Sequence, residues 1–93
     1  MRVSEMIPTV SDNPALTRYE LPIDGETAIL VYERTPDSIR LLHTEVPEAF
    51  RGRGFAEALV REVLARARVE RLRVVPVCPF VRAYLKKHPE LRI

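Results

Sequence analysis

The chain is poor in cysteine, glycine and aromatic residues, with one cysteine, three glycines, no tryptophan, three tyrosines and three phenylalanines. The single cysteine, Cys78, excludes an internal disulfide and favours a reducing compartment, so we expect a cytoplasmic protein. No apolar run approaches the roughly 20 residues that cross a bilayer, and the amino end lacks the apolar core of a secretory signal. We therefore expect no membrane partner.

The residue types that carry metal or nucleic-acid chemistry are also sparse and unfavourably spaced. Cys78, His43 and His88 are the soft metal ligands of the chain, and they lack the spacing of a zinc site. Aromatic residues are not interleaved with basic ones, as they are on surfaces that stack single-stranded nucleic acids. We therefore expect neither a bound metal ion nor a nucleic-acid partner.

Size and composition fit one small globular domain spanning residues 1–93. The chain has a mass of 10.7 kDa, 46% apolar residues and 30% charged residues. A domain of this size buries roughly 60–65% of its unfolded surface, which leaves room for one sheet and two helices. The net charge of +2 is unevenly distributed, because residues 1–46 carry four Arg against eight Asp/Glu whereas residues 47–93 carry eleven Lys/Arg against five Glu. The basic half suits an anionic ligand, and a monomer is expected.

The first half of the chain predicts antiparallel strands. Residues 1–16 show no period and are interpreted as an irregular lead-in, and residues 17–22 alternate as a half-buried strand that Pro22 closes. The dipeptide Asp24-Gly25 predicts a hairpin turn before a central strand at residues 28–32. Residues 39–46 predict a third strand, and its apolar phase changes between Leu41 and Leu42. That change indicates either a β-bulge or a strand with two covered faces.

The second half predicts a β-α-β unit and a final helix. The apolar side chains at 56, 59, 60, 63, 64 and 67 share one face of a helix from near Arg53 to Arg68. A strand over residues 72–77 should therefore run parallel to the third strand through a crossover. Pro79 suits the first turn of a second helix that runs to about Lys87. The fold class is thus α/β (α+β), with antiparallel strands followed by a β-α-β crossover and a C-terminal helix.

The loop before the long helix has the composition of an anion site. Gly52 and Gly54 let backbone N–H groups turn toward a ligand, the helix start is positive, and Arg51 and Arg53 add charge. The alternative is that the glycines merely permit a tight connection, and spacing alone does not decide between these interpretations. The loop is neither a Walker loop nor a dinucleotide fingerprint, since Glu57 stands where the latter needs a glycine.

These residues carry a family resemblance. Arg51-x-x-Gly54-x-Ala56 resembles the Q/R-x-x-G-x-G/A signature of the GCN5-related N-acetyltransferases, in the same place between a strand and a long helix. His-Thr-Glu-Val-Pro at 43–47, Arg-Gly-Arg-Gly at 51–54 and Pro-Val-Cys-Pro-Phe-Val at 76–81 resemble the small single-domain YjdJ-type subgroup. The resemblance covers about residues 17–90.

The resemblance implies a truncated fold of that family, with two strands splayed to admit acetyl-coenzyme A. The reaction would move an acetyl group to an amine on a small molecule or a protein. The alternative is a module that binds coenzyme A without turnover. The implied coenzyme-binding residues are the strand groups of Thr44, Glu45 and Val46, the loop residues Arg51, Gly52, Arg53, Gly54, Phe55 and Ala56, and Cys78.

Cys78 is the first candidate for a catalytic residue. Pro76 should interrupt pairing of its strand, and Pro79 makes Cys78 the expected N-cap of the second helix. A thiol at a helix start favours the thiolate below the ordinary pKa of about 8.5. The alternative is a buried cysteine that packs as a small apolar residue. The resemblance implies a cysteine beside the coenzyme thiol and leaves open whether it accepts an acyl group.

His43 and Glu45 are the second candidate pair. They lie two residues apart on one strand, and hence on one face, so the imidazole could serve as base for an amine. A histidine that is merely hydrogen-bonded on the strand explains the pattern equally well.

Tyr84 stands one position from the tyrosine that larger family members use as an acid, and we interpret it as a packing residue.

Overall fold

The computed structural model describes residues 9–91. They form five strands and two α-helices: β1 (Ser11–Asn13), β2 (Arg18–Ile23), β3 (Glu26–Arg34), β4 (Ser38–Glu45), α1 (Phe55–Val69), β5 (Arg73–Pro76) and α2 (Pro79–Lys87). Short 3₁₀ turns lie at Pro14–Leu16, Glu48–Phe50 and Pro89–Leu91. This order of elements confirms the predicted mixed α/β fold.

The strands form one sheet in the order β1-β2-β3-β4-β5. The first four strands pair antiparallel, and β5 pairs parallel to β4, as the intervening helix predicts. The hairpin between β2 and β3 turns at Asp24 and Gly25, whose φ angles of 46° and 83° are both positive. Positive φ at both central residues is the type I′ geometry that Asp-Gly favours.

The expected irregular lead-in is wrong for residues 11–16. Ser11–Asn13 pairs with β2, and the Tyr32 hydroxyl donates to Asp12 Oδ1 at 2.7 Å across the sheet. The sequence of this strand is polar and shows no alternation of apolar residues. The strand is held by backbone pairing and by the Tyr32 hydroxyl rather than by an apolar face. Residues 1–8 of the expected lead-in lie outside the described part of the chain.

A β-bulge interrupts the ladder between β3 and β4. Val31 pairs with His43 and Tyr32 pairs with Leu41, so Leu42 is the extra residue. The bulge explains the change of apolar phase, and the alternative of two covered faces is wrong because Arg40 and His43 are exposed.

Both helices pack on one face of the sheet. The inward residues of β3, Ala28, Leu30 and Tyr32, are buried, while Ile29 and Val31 on the other face are only half-buried. The helix α1 contributes Leu59, Val60, Val63, Leu64 and Ala67 to the core, and α2 contributes Val81, Tyr84 and Leu85. The outer face of the sheet therefore stays open to solvent within residues 9–91.

Replacing Leu59 with alanine should destabilise the domain by about 3 kcal/mol, because a fully buried leucine leaves a cavity in the core. Leu16→Ala is the matched control, since that side chain is 54% exposed and its loss should change stability by less than about 0.5 kcal/mol. Urea denaturation of both variants measures the difference. Equal stabilities would contradict the assignment of Leu59 to the core.

Candidate functional site

The parallel strands β4 and β5 separate halfway along β4. Their pairing runs from Ser38 with Arg73 to Leu41 with Pro76, whereas β4 continues to Glu45 in its pairing with β3. Beyond Leu41, no residue of β4 pairs with β5 in the described part of the chain, and the Thr44 amide faces the Cys78 sulfur instead. The predicted splay is therefore present.

Pairing of β5 with β4 ends at Pro76, as predicted, but the missing donor is that of Pro79. Alternate residues of this ladder donate to β4: Arg73 N donates to Asp37 O at 3.0 Å and Val77 N donates to Leu41 O at 3.0 Å. The next donor with this spacing would be residue 79, and proline has no N–H. Instead, Cys78 N also donates to Leu41 O at 2.8 Å, and the chain turns into α2. Pro76 lies between the donating positions and costs no bond to β4.

The loop before α1 presents a run of backbone donors without partners. The amides of Gly52 through Glu57 donate to no group of the described residues, and the helical pattern begins only with Ala58 N to Gly54 O at 3.0 Å. Gly52 and Gly54 have φ of 76° and 85°, so the helix starts at Phe55, later than predicted. Successive N–H groups in such a loop form an anion-binding concavity at the positive helix end.

The amide set differs at both ends from the predicted one. In the 3₁₀ turn, Phe50 N donates to Pro47 O at 2.9 Å, and Arg51 N donates to Glu48 O at 3.3 Å. The Arg51 amide therefore has a partner already, while the Glu57 amide adds a free donor that the sequence did not indicate. The Arg51 side chain ties the loop to β4, because its Nε donates to Val46 O at 3.2 Å.

A cavity of about 310 Å³ adjoins these donors. Val46, Phe50, Phe55 and Phe80 supply its apolar wall, and Phe80 is 37% exposed. The Arg53 guanidinium lies 5.7 Å from the centre of the Phe50 ring, so its charge is held beside the loop. Sequence reasoning missed Phe80 as a site residue, although it lies within the block at 76–81.

Cys78 lies at the start of α2 with its thiol at the splay. The residue is 4% exposed, and its Sγ contacts Thr44 Oγ1 of β4 at 3.6 Å. It is the N-cap residue of α2. Burial raises the pKa of the thiol, but the amides of Val81, Phe80 and Thr44 together with the Thr44 hydroxyl outweigh burial, and the net pKa is lowered. The site thus combines an enclosed sulfur with a lowered thiol pKa.

His43 and Glu45 lie on the other face of β4 from Thr44. Their Nε2 and Oε2 atoms are 3.3 Å apart, and the side chains are 61% and 62% exposed. The structure therefore brings this pair together but separates it from Cys78 by the thickness of the sheet.

Tyr84 is a packing residue, as the sequence indicates. It is buried, its hydroxyl accepts from Arg61 Nε at 3.4 Å, and its ring stacks near His88.

Among residues 9–91, no group of three or more His, Cys, Asp or Glu side chains could hold a metal ion. No helix in the same part of the chain is both long and apolar enough to span a membrane.

Thr44→Val should raise the pKa of the Cys78 thiol, because the variant removes a hydroxyl that stabilises the thiolate while keeping the side-chain shape. The ultraviolet absorbance of the thiolate, followed against pH, reports this group alone because the chain has one cysteine. Thr27→Val on the exposed end of β3 is the control and should leave the titration unchanged. A wild-type thiol that titrates above the ordinary cysteine range would contradict this arrangement.

Comparison with known proteins places this geometry in a family. The family model described as GCN5-related N-acetyl-transferase matches residues 18–93. Protein NATD1 of Xenopus tropicalis is 37% identical over 65 residues, which are 69% of this chain and 60% of that protein. Protein NATD1 of Homo sapiens is 38% identical over 65 residues, covering 69% and 58% of the two chains. Protein NATD1 of Danio rerio is 34% identical over 75 residues, covering 77% and 68%.

The chain thus spans about three fifths of the length of the first of these relatives. The family match includes β2 to β5, both helices, the amide loop and the splay. The chain belongs to the GCN5-related N-acetyltransferase family.

Proposed function

We propose that the protein is an N-acyltransferase that takes an acetyl group from acetyl-coenzyme A and passes it to an amine. The proposal rests on three features that lie near one another. They are six partnerless amides at Gly52–Glu57, the end of β4 that β5 does not pair with, and the enclosed thiol of Cys78. A molecule with a pyrophosphate at one end, amide groups along its length and a sulfur at the other matches this sequence of environments.

The residues present fit such a coenzyme group by group. The amides and the nearby Arg51 and Arg53 would hold the pyrophosphate. The pantetheine arm carries its own amides and would lie along Thr44 to Val46 as an added strand, with its apolar portion against Phe80. The thioester would then lie beside the contact between Thr44 and Cys78.

The chemistry requires mainly positioning and charge stabilisation. The amine nitrogen attacks the thioester carbonyl, a C–N bond forms, the C–S bond breaks, and coenzyme A leaves as a thiol after taking up a proton. Backbone donors at the splay can stabilise the negative charge that develops on the carbonyl oxygen. The Cys78 sulfur lines the thioester end, and His43 with Glu45 offers a proton acceptor on the open side of the gap.

A coenzyme A-binding module without turnover is the second candidate function. It is favoured by Tyr84, a buried packing residue whose hydroxyl accepts from Arg61 Nε at 3.4 Å and makes no hydrogen bond at Cys78. The two candidates agree on coenzyme binding and differ in whether thiol is released.

Isothermal calorimetry should detect binding of acetyl-coenzyme A to the wild-type protein at physiological salt. Incubation with acetyl-coenzyme A and a mixed pool of primary amines should then release free thiol above the hydrolysis background. Binding without release would support the binding module. No binding at millimolar ligand would contradict both functions.

Gly54→Ala should weaken coenzyme A binding at least about tenfold, because a Cβ on the donor loop obstructs the approach of phosphate to the amides. Gly25→Ala is a matched control: both glycines have φ near 85°, and an added Cβ at either meets no atom within 4 Å. Both variants should lose about 1–2 kcal/mol of stability through backbone strain alone. Equal coenzyme affinity in the two variants would show that the loop is only a connection.

A further inference from the structure

A second cavity adjoins the donor loop, the segment that carries the free amides of Gly52–Glu57. Its volume is about 490 Å³, and it lies toward β2 rather than β4. Gly54 and Phe55 line both this cavity and the cavity of about 310 Å³ beside Val46 and Phe80. A ligand whose pyrophosphate lies on the donor loop therefore has one cavity on each side of its phosphates.

The second cavity combines apolar surface with two arginines. Leu21, Phe55 and Ala58 supply apolar wall, and the exposed side chains of Arg53 and Arg61 add positive charge. Apolar surface in a cavity of this size suits an aromatic base. Guanidinium groups suit a phosphate, because arginine can donate two parallel hydrogen bonds to its oxygens. The lining thus has the chemistry to bind a phosphorylated nucleoside.

Aromatic side chains orient both arginines. Arg61 Nε donates to the Tyr84 hydroxyl at 3.4 Å, which leaves the terminal nitrogens of this guanidinium as donors for a ligand. The Arg53 guanidinium lies 5.7 Å from the centre of the Phe50 ring. Side chains of a helix lean toward its N-terminus, so Arg61 extends back along α1 toward the donor loop. The two charges can therefore meet one group beside the loop.

The carboxylates near the second cavity leave these charges available. Glu62 lines the cavity, and its Oε1 accepts from Arg66 Nε at 3.3 Å. Glu57 lines the other cavity, beside Phe80. Within residues 9–91, neither Arg53 nor Arg61 forms an ion pair with a carboxylate. The second cavity is therefore suited to an anionic group in addition to the pyrophosphate on the amides.

We propose that the second cavity holds the adenosine end of coenzyme A and that Arg53 and Arg61 bind its ribose 3′-phosphate. This inference rests on the proposed coenzyme binding and adds Arg61 as a residue that determines specificity. Coenzyme A has three phosphate groups, of which the donor loop takes the two in the pyrophosphate. The third is the group that the arginines recognise. The protein therefore distinguishes coenzyme A from dephospho-coenzyme A, which lacks only this phosphate.

Isothermal calorimetry of the wild-type protein with coenzyme A and with dephospho-coenzyme A tests this specificity. Coenzyme A should bind at least about tenfold more tightly at physiological salt, because arginine–phosphate hydrogen bonds are charge-assisted. The ratio of the two dissociation constants should fall as salt is added, since both arginines are exposed and their charges are screened.

The variant Arg61→Gln should lower this ratio at least about threefold, because it removes one of the two charges at the 3′-phosphate. Its affinity for dephospho-coenzyme A should stay within about twofold of wild type, whereas a merely structural role would weaken both ligands alike. Arg68→Gln is the matched control. It removes the same charge about two turns further along the same face of α1 and should leave the ratio unchanged. Urea denaturation should show that both variants are folded.

The outcomes separate this inference from the proposed function. Equal affinity of the wild-type protein for the two ligands would overturn the inference and leave coenzyme binding standing. Equal ratios in Arg61→Gln and Arg68→Gln would also overturn it, because the 3′-phosphate would then lie elsewhere. Absence of binding of either ligand at millimolar concentration would overturn both the inference and the proposed function.

Discussion

A single missing hydrogen-bond donor, the N–H that proline lacks at position 79, underlies the candidate site. The ladder between β4 and β5 uses the amides of Arg73 and Val77, and its next member would be residue 79. Because Pro79 cannot donate, β5 ends at Pro76 opposite Leu41 and α2 begins, while β4 continues to Glu45 beside β3 alone. The splay therefore follows from the presence of proline at position 79, and the same proline fixes Cys78 at the start of α2.

The rest of the fold holds this opening in place. The inward side chains of the sheet and the apolar faces of α1 and α2 form one core, which fixes both helix starts relative to β4. Arg51 joins the loop to Val46, and Thr44 meets Cys78 across the gap. A donor loop, a strand edge and a buried thiol thus lie close to one another in the described part of the chain. We propose that this arrangement holds the coenzyme.

The sequence predicted those parts of the fold that local patterns determine. The Asp24-Gly25 turn, the long helix and the parallel strand followed from turn chemistry, period and connection length. The short strand at Ser11–Asn13 did not, since a backbone ladder and the contact of Asp12 with Tyr32 hold it. The sequence analysis attributed the splay to Pro76, whereas the missing donor is that of Pro79. The register between β5 and β4 decides which residues of β5 donate to β4, and the sequence does not give this register.

The candidate site was predictable to a similar degree. The glycine positions indicated the donor loop, but the 3₁₀ turn that engages the Arg51 amide and leaves the Glu57 amide free depends on tertiary position. Phe80 was missed because its exposure at the cavity follows from where α2 begins. His43 and Glu45 were correctly placed on one face, whereas their separation from Cys78 by the sheet required the structure.

The most direct test of the account is a two-dimensional nitrogen–proton NMR titration of the isotopically labelled protein with coenzyme A. We predict that the largest shifts lie in two groups, the amides of residues 52–57 and those of residues 42–46, with Cys78 between them and β1 unaffected. Shifts that miss the loop amides, or that concentrate on the outer face of β2, would contradict the claim that the coenzyme enters between β4 and β5.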